Sequence, residues 1–197
     1  MDANTSLLLS INDFARATPW LHGPLTLYAG YGLVVFAGLM LAAWWIARKA
    51  GEPARMAAAL WAPLGMLLAL VLNQPIGAAV NEARPYASLP NILVLATPTV
   101  DPSFPSDHAM VAGAVTAALF LVDRRLGWVS AFAALLMAFS RVYIAAHYPL
   151  DVVVGLLLGA AISLAGYFLL RRILLRMVVA LQHTRFRPLL TAAPQRV

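Results

Sequence analysis

The sequence predicts an all-α fold: a polytopic membrane helix bundle of about five spanning helices, with one further interfacial helix at the amino terminus. Three observations predict it. The chain of 197 residues is 62% hydrophobic and only 11% charged, with a mean hydropathy of +0.80. Several apolar runs approach the ~20 residues that cross a bilayer. The 14 basic residues sort to one side once the runs are threaded alternately through the membrane. With short connections, the chain is expected to form a single domain over residues 1–197, with an interfacial helix at 1–23, a bundle at 24–170 and a basic cytoplasmic tail at 171–197. It contains no cysteine, which excludes disulfides and thiolate metal sites.

Residues 1–20 do not read as a signal peptide, because the start is acidic and the apolar run LLLSI is short, so the segment is expected to stay on. Asp13 and Arg16 make it too polar to span, while Leu7, Leu8, Leu9, Ile11 and Phe14 can share one helical face at the interface. Trp20 and His22 then fall near the headgroups. Spans are expected at 24–47, 57–80, 108–122, 127–146 and 150–170. The third is short, about 22 Å at 1.5 Å per residue, so it should begin below the surface or lean on protein rather than lipid. The pair Gly155 and Gly159 reads as close helix packing, and Trp44, Trp45 and Tyr148 as interface aromatics. Residues 48–55 and 123–127 are short basic connections, whereas 81–107 is long and rich in proline, the expected place for function.

With the first span running inward, Arg48, Lys49, Arg55, Arg124, Arg125, Arg171, Arg172, Arg176, Arg185, Arg187 and Arg196 are cytoplasmic, leaving Arg16, Arg84 and Arg141 elsewhere. This bias, together with attraction to anionic membrane lipids, accounts for the net charge of +6 without a nucleic-acid partner. Residues 81–107 and the turn near 146–151 then share the outer face.

That face carries NEARPY, FPSDH and SRVYIAAHYPLD. An arginine near the end of a span, such as Arg141, needs an anion, a polar cavity or the interface. Ser106 and His108 open the third span, where free N–H groups and the helix dipole favour an anion. Asp151 follows His147 by four residues, spaced to accept a hydrogen bond from one imidazole nitrogen and leave the other as nucleophile or base. Singly, each residue reads as an anchor, a cap or an N-cap. Two of four histidines gathering with two arginines, in a chain that avoids charge, instead make an inventory for phosphate chemistry. His22 and His183 stand apart and read as structural.

These motifs resemble the type 2 phosphatidic acid phosphatases, membrane relatives of the vanadium haloperoxidases. The family patterns K-x6-R-P, P-S-G-H and S-R-x5-H-x3-D correspond to GAAVNEARP, PSDH and SRVYIAAHYPLD. The third is complete, the second carries Asp107 in place of glycine, and the first keeps Arg84 and Pro85 but has Gly77 at the lysine position. Asn81 and Glu82 are expected to reshape that corner. Within the family, SINDFARATPW, FPSDHA and HYPLDV are most similar to the bacitracin-resistance type of undecaprenyl pyrophosphate phosphatase. The resemblance implies removal of the terminal phosphate of a polyprenyl diphosphate at the outer face of the cytoplasmic membrane. His147 would be the phosphorylated nucleophile, Asp151 its orienter and His108 the acid and later the base. Arg84, Ser106 and Arg141 would bind phosphate, with no metal and no cofactor. Phosphatidylglycerol phosphate or phosphatidate remain alternative substrates for the same residues, and a phosphate-lipid binding or transport protein is the alternative that is not an enzyme. Five spans argue against the soluble haloperoxidases.

Overall fold

The computed structural model describes residues 2–192, and among these the regular structure is helical throughout. Helix α1 (Ala3–Ala17) starts where Asp2 Oδ1 accepts the Thr5 N–H at 2.7 Å, an N-cap hydrogen bond. It lies against the ends of α7 (Arg124–Tyr143) and α8 (Pro149–Gln182), burying Leu8, Asn12 and Ala15. Leu7 and Phe14 of the expected apolar face are about half exposed, which suits a helix whose outer side meets lipid.

The first expected span is built from two helices, α2 (His22–Tyr31) and α3 (Leu33–Ala50). They meet at Gly32, where a Cβ would fall 2.4 Å from the Tyr28 carbonyl oxygen of α2 and 2.7 Å from Met137 Cε of α7, so a side chain there would have to displace its neighbours. Gly51, at φ 69°, ends α3 in the left-handed conformation. Helix α4 (Pro53–Val80) opens with a proline at its first position. It ends at Asn81, also left-handed at φ 48°, and the single turn α5 (Pro85–Ser88) follows. A face of Ala57, Ala58, Ala62 and Ala69 is buried along α4, which allows close approach to its neighbours.

Helix α6 (Asp107–Val122) is the short third span, and most of its residues are buried among α4, α7 and α8. It leans on protein rather than lipid, as its length requires. Its contact with α8 is the tightest in the bundle. A Cβ on Gly159 would lie 2.1 Å from the Met110 carbonyl oxygen, and one on Gly113 would lie 2.1 Å from the Leu156 carbonyl oxygen. Each helix therefore presents a glycine to the other's backbone. Gly155 meets Ser106 O and the Ala109 side chain in the same way. Gly159→Leu should force the helices apart at a cost of at least about 1–3 kcal/mol. A clear fall in the detergent melting temperature checks this, and an unchanged melting temperature would contradict the close crossing.

Helix α8 continues to Gln182, beyond the expected end at 170. Its 34 residues extend about 51 Å, more than a ~30 Å hydrocarbon core. Arg171, Arg172 and Arg176 therefore ride on a protruding helical turn rather than a separate tail. Arg196 lies outside the described residues. Short α9 (Arg187–Leu190) folds back under α3, where Trp44 Nε1 donates to Leu189 O. Trp45 faces outward with Arg48 and Lys49 over its ring. Tyr148 differs from the expectation: it is buried with Leu8, Ala109, Val142 and Val152, because it closes the turn into α8 beneath α1.

Large apolar side chains such as Leu41, Val71, Phe132, Leu157 and Leu169 point outward along the bundle. Among the described residues, four helices are long and apolar enough to cross a membrane, with α6 as a shorter fifth. The chain is a membrane protein.

Candidate active site

Three helix ends and an irregular segment converge opposite the basic connections: the last turn of α7, the first turns of α6 and α8, and residues 89–106. That segment has no periodic apolar face, so its course is fixed by hydrogen bonds. Leu95 and Ala96 N–H both donate to Ile144 O, at 3.2 and 3.0 Å. Asn12 of α1 brackets Leu93, donating to its carbonyl at 2.7 Å and accepting its N–H at 2.9 Å. The segment thereby roofs a cavity of about 330 Å³ whose walls include Arg84, Asp101, Asp107, His108, Arg141 and His147.

His147 is 2% exposed. Its Nδ1 donates to the Ser103 carbonyl at 2.7 Å, because a carbonyl can only accept, and that fixes the tautomer. Nε2 thus carries its lone pair, 3.2 Å from Arg84 Nη1 and 3.2 Å from Arg141 Nη2. A nucleophilic nitrogen between two guanidinium groups is the arrangement that a phosphoryl group fits. Burial holds the His147 imidazole below its ordinary pKa; Asp151 opposes this and the charges of Arg141 and Arg84 reinforce it.

The expected direct hydrogen bond from His147 to Asp151 is not made. The carboxylate lies 3.6 Å from Nδ1, because the segment before α6 inserts the Ser103 carbonyl between them. Asp151 Oδ2 instead accepts the Ser103 hydroxyl at 2.5 Å and the Tyr148 N–H at 2.8 Å. It is fully buried and acts on His147 at charge–charge range and through Ser103.

Arg84 is held by the carbonyls of Ala146 (2.9 Å) and Asp101 (3.1 Å) and by Asp101 Oδ2 at 2.6 Å. Burial opposes ionisation of Asp101, but hydrogen bonds from Thr99 and Arg84 outweigh it and keep the carboxyl below the usual range. Arg141 reaches from α7, donating to Ala29 O at 3.3 Å. Among the described residues, the buried side-chain atoms without a hydrogen-bond partner include Arg141 Nε, Ser106 Oγ, Asp151 Oδ1 and Asn73 Oδ1, all at this end of the bundle.

Arg84, His108, Arg141, His147 and Asp107 are therefore brought together around one cavity. Ser106 stands behind the wall: it is buried, does not line the cavity, and uses its N–H on Asp151 O at 3.2 Å. Asn81 and Glu82 also lie outside the lining. Asn81 terminates α4, and the Glu82 carbonyl accepts the Ser103 N–H at 2.8 Å. Asp107 is tied to α4 through Asn73 Nδ2 at 2.6 Å. It faces a second cleft of about 140 Å³ that also includes Gly77. A Cβ on Gly77 would lie 3.4 Å from Phe104 O, so the lysine position of the family pattern opens into this acidic corner. Ser103, Asp101 and Asn73 escaped sequence reasoning. Ser103 heads the SFPSDH run itself, which was the available signal; nothing in the sequence marks Asp101 or Asn73.

The profile of the PAP2 superfamily matches residues 58–174. The chain is 28% identical over 163 residues to the bacitracin transport permease protein BcrC of Bacillus licheniformis, covering 83% of this chain and 78% of that protein. It is 29% identical over 160 residues to undecaprenyl-diphosphatase BcrC of Bacillus subtilis (strain 168), covering 81% and 80%. The crystal structure of Aquifex aeolicus LpxE superposes with a TM-score of 0.68 at 27% identity, over 84% of this chain and 94% of that one.

Proposed function

The chain belongs to the PAP2 superfamily, and from that premise we propose that it hydrolyses undecaprenyl diphosphate to undecaprenyl phosphate and phosphate at the outer face of the cytoplasmic membrane. The observation that carries the chemistry is the oriented His147 imidazole with Nε2 between Arg84 and Arg141. The likeness to an undecaprenyl-diphosphatase over most of both chains supports the substrate, and the basic connections at the opposite end of the bundle support the outer face.

In this reading Nε2 attacks the terminal phosphorus while the bond to the bridging oxygen breaks, and His108 gives that oxygen its proton. The two guanidinium groups hold the phosphoryl oxygens as charge spreads over them. The free N–H groups of the first turn of α6 add partial positive charge from the same side. His108, now neutral, then takes a proton from water, which attacks the phosphohistidine and frees phosphate and His147. The prenyl chain stays among the lipids, and the headgroup enters from the side.

The similarity to a protein named as a transport permease favours a second reading, binding or transport without cleavage. An oriented nucleophile has no use in that reading. The two separate in one assay of purified protein in detergent with undecaprenyl diphosphate, phosphatidylglycerol phosphate and phosphatidate in parallel. Phosphate release chiefly from the diphosphate is expected. No release from any of the three by folded protein would leave the binding reading standing. Because arginines supply the positive charge, EDTA should leave the rate unchanged; loss restored by a divalent ion would mean a metal-assisted reaction.

A further inference from the structure

Ser103 touches both members of the His147 and Asp151 pair. It is fully buried, and its three polar groups are all committed. The N–H donates to Glu82 O at 2.8 Å, the hydroxyl to Asp151 Oδ2 at 2.5 Å, and the carbonyl accepts from His147 Nδ1 at 2.7 Å. No other described residue joins the aspartate and the histidine in this way.

We propose that Ser103 is the positioning residue through which Asp151 orients His147, a role that rests on His147 being the phosphoryl acceptor. The carboxylate fixes the serine, and the serine carbonyl fixes the imidazole. A neutral carbonyl at Nδ1 favours the reactive tautomer without making the ring as basic as a directly bonded carboxylate would. When Nε2 bonds phosphorus the ring becomes cationic, and Asp151 at 3.6 Å then stabilises that charge across the gap. The arrangement reserves the negative charge for the intermediate rather than for a proton.

The charged and titratable groups around His147 are Arg84 and Asp101 from the segments flanking the site, Arg141 from α7, Asp107 and His108 from α6 and Asp151 from α8. Removing the Ser103 hydroxyl leaves all of them in place but strips a donor from Asp151. The less compensated carboxylate then favours the imidazolium, so the acid limb of kcat/KM moves to higher pH.

The test is the pH profile of Ser103→Ala and of Ser103→Cys, which keeps the side-chain volume but donates weakly, with Ser103→Thr as the variant that keeps the hydroxyl. The expected result for Ala and Cys is kcat lowered about tenfold or more, KM within about twofold, and the acid limb displaced upward by about half a unit or more. Thr, where folded, restores the wild-type limb. If Ala does not fold, Cys carries the test. A fall in kcat with the limb unmoved in the folded variants, or an unchanged kcat, overturns the proposal. Wild-type protein quenched during turnover of labelled diphosphate is run alongside. Absence of a phosphohistidine there would fail the underlying reading, whereas its presence with an unmoved limb would fail the Ser103 role alone.

Discussion

His147→Ala should abolish turnover, lowering kcat by about 10⁴-fold or more, while the protein remains folded. Nε2 stands 3.2 Å from both guanidinium groups and its ring hydrogen bond is made to a backbone carbonyl. The substitution therefore removes the attacking atom, while Arg84 keeps Asp101 and the Ala146 carbonyl, Arg141 the Ala29 carbonyl, and Asp151 the Ser103 hydroxyl and the Tyr148 N–H. The small cavity it creates is at the site rather than at the α6–α8 crossing that holds the bundle together. Steady-state phosphate release, with the melting temperature as the folding control, checks the expectation. Near-normal activity in a folded variant would remove the phosphohistidine route.

Arg141→Ala should lower kcat by about 10²–10³-fold, the usual effect of losing one donor aimed at developing phosphoryl charge. Arg141→Lys should restore little. The guanidinium spans from Ala29 O on α2 to His147 Nε2 with separate nitrogens, and a single ammonium cannot occupy both positions. Full activity in the lysine variant would show that charge alone suffices at this position. Arg84 is a poorer first test, because Asp101 shares its guanidinium and a change there disturbs the roof segment as well.

Much of this architecture was legible in the sequence because membrane length and the sidedness of basic residues are crude, strong signals. The third span could be recognised from its length as one that begins below the surface or leans on protein, and the close packing at Gly155 and Gly159 from their spacing. The break at Gly32 was not legible, since α2 and α3 together read as one apolar run. The extension of α8 was missed because charged residues suggested a tail, whereas a helix that has left the bilayer carries arginines at little cost.

The site divides along the same line. Arg141, His108 and Asp151 on helix ends, with His147 in the short turn between α7 and α8, could be assembled from their places in the sequence, because the spans bring those ends to one face. Residues 89–106 follow a path set by Asn12, Ile144 and Glu82, distant in sequence and without periodicity. Ser103 consequently intervened between a histidine and an aspartate that spacing alone had paired directly. The same absence of regular structure hid the Arg84 and Asp101 pair. Ser106 was placed correctly at the start of α6, but its rotation about the helix axis depends on how the preceding segment enters.

The phosphohistidine route requires His147 to accept the terminal phosphoryl group of a polyprenyl diphosphate. The most direct measurement is to quench the purified protein during turnover of undecaprenyl diphosphate labelled in its terminal phosphate and to map the label on the chain. The expected result is an acid-labile, alkali-stable phosphoryl group on His147 that is absent from His147→Ala. Rapid release of labelled phosphate with no label on the protein, or label at another residue, would contradict it.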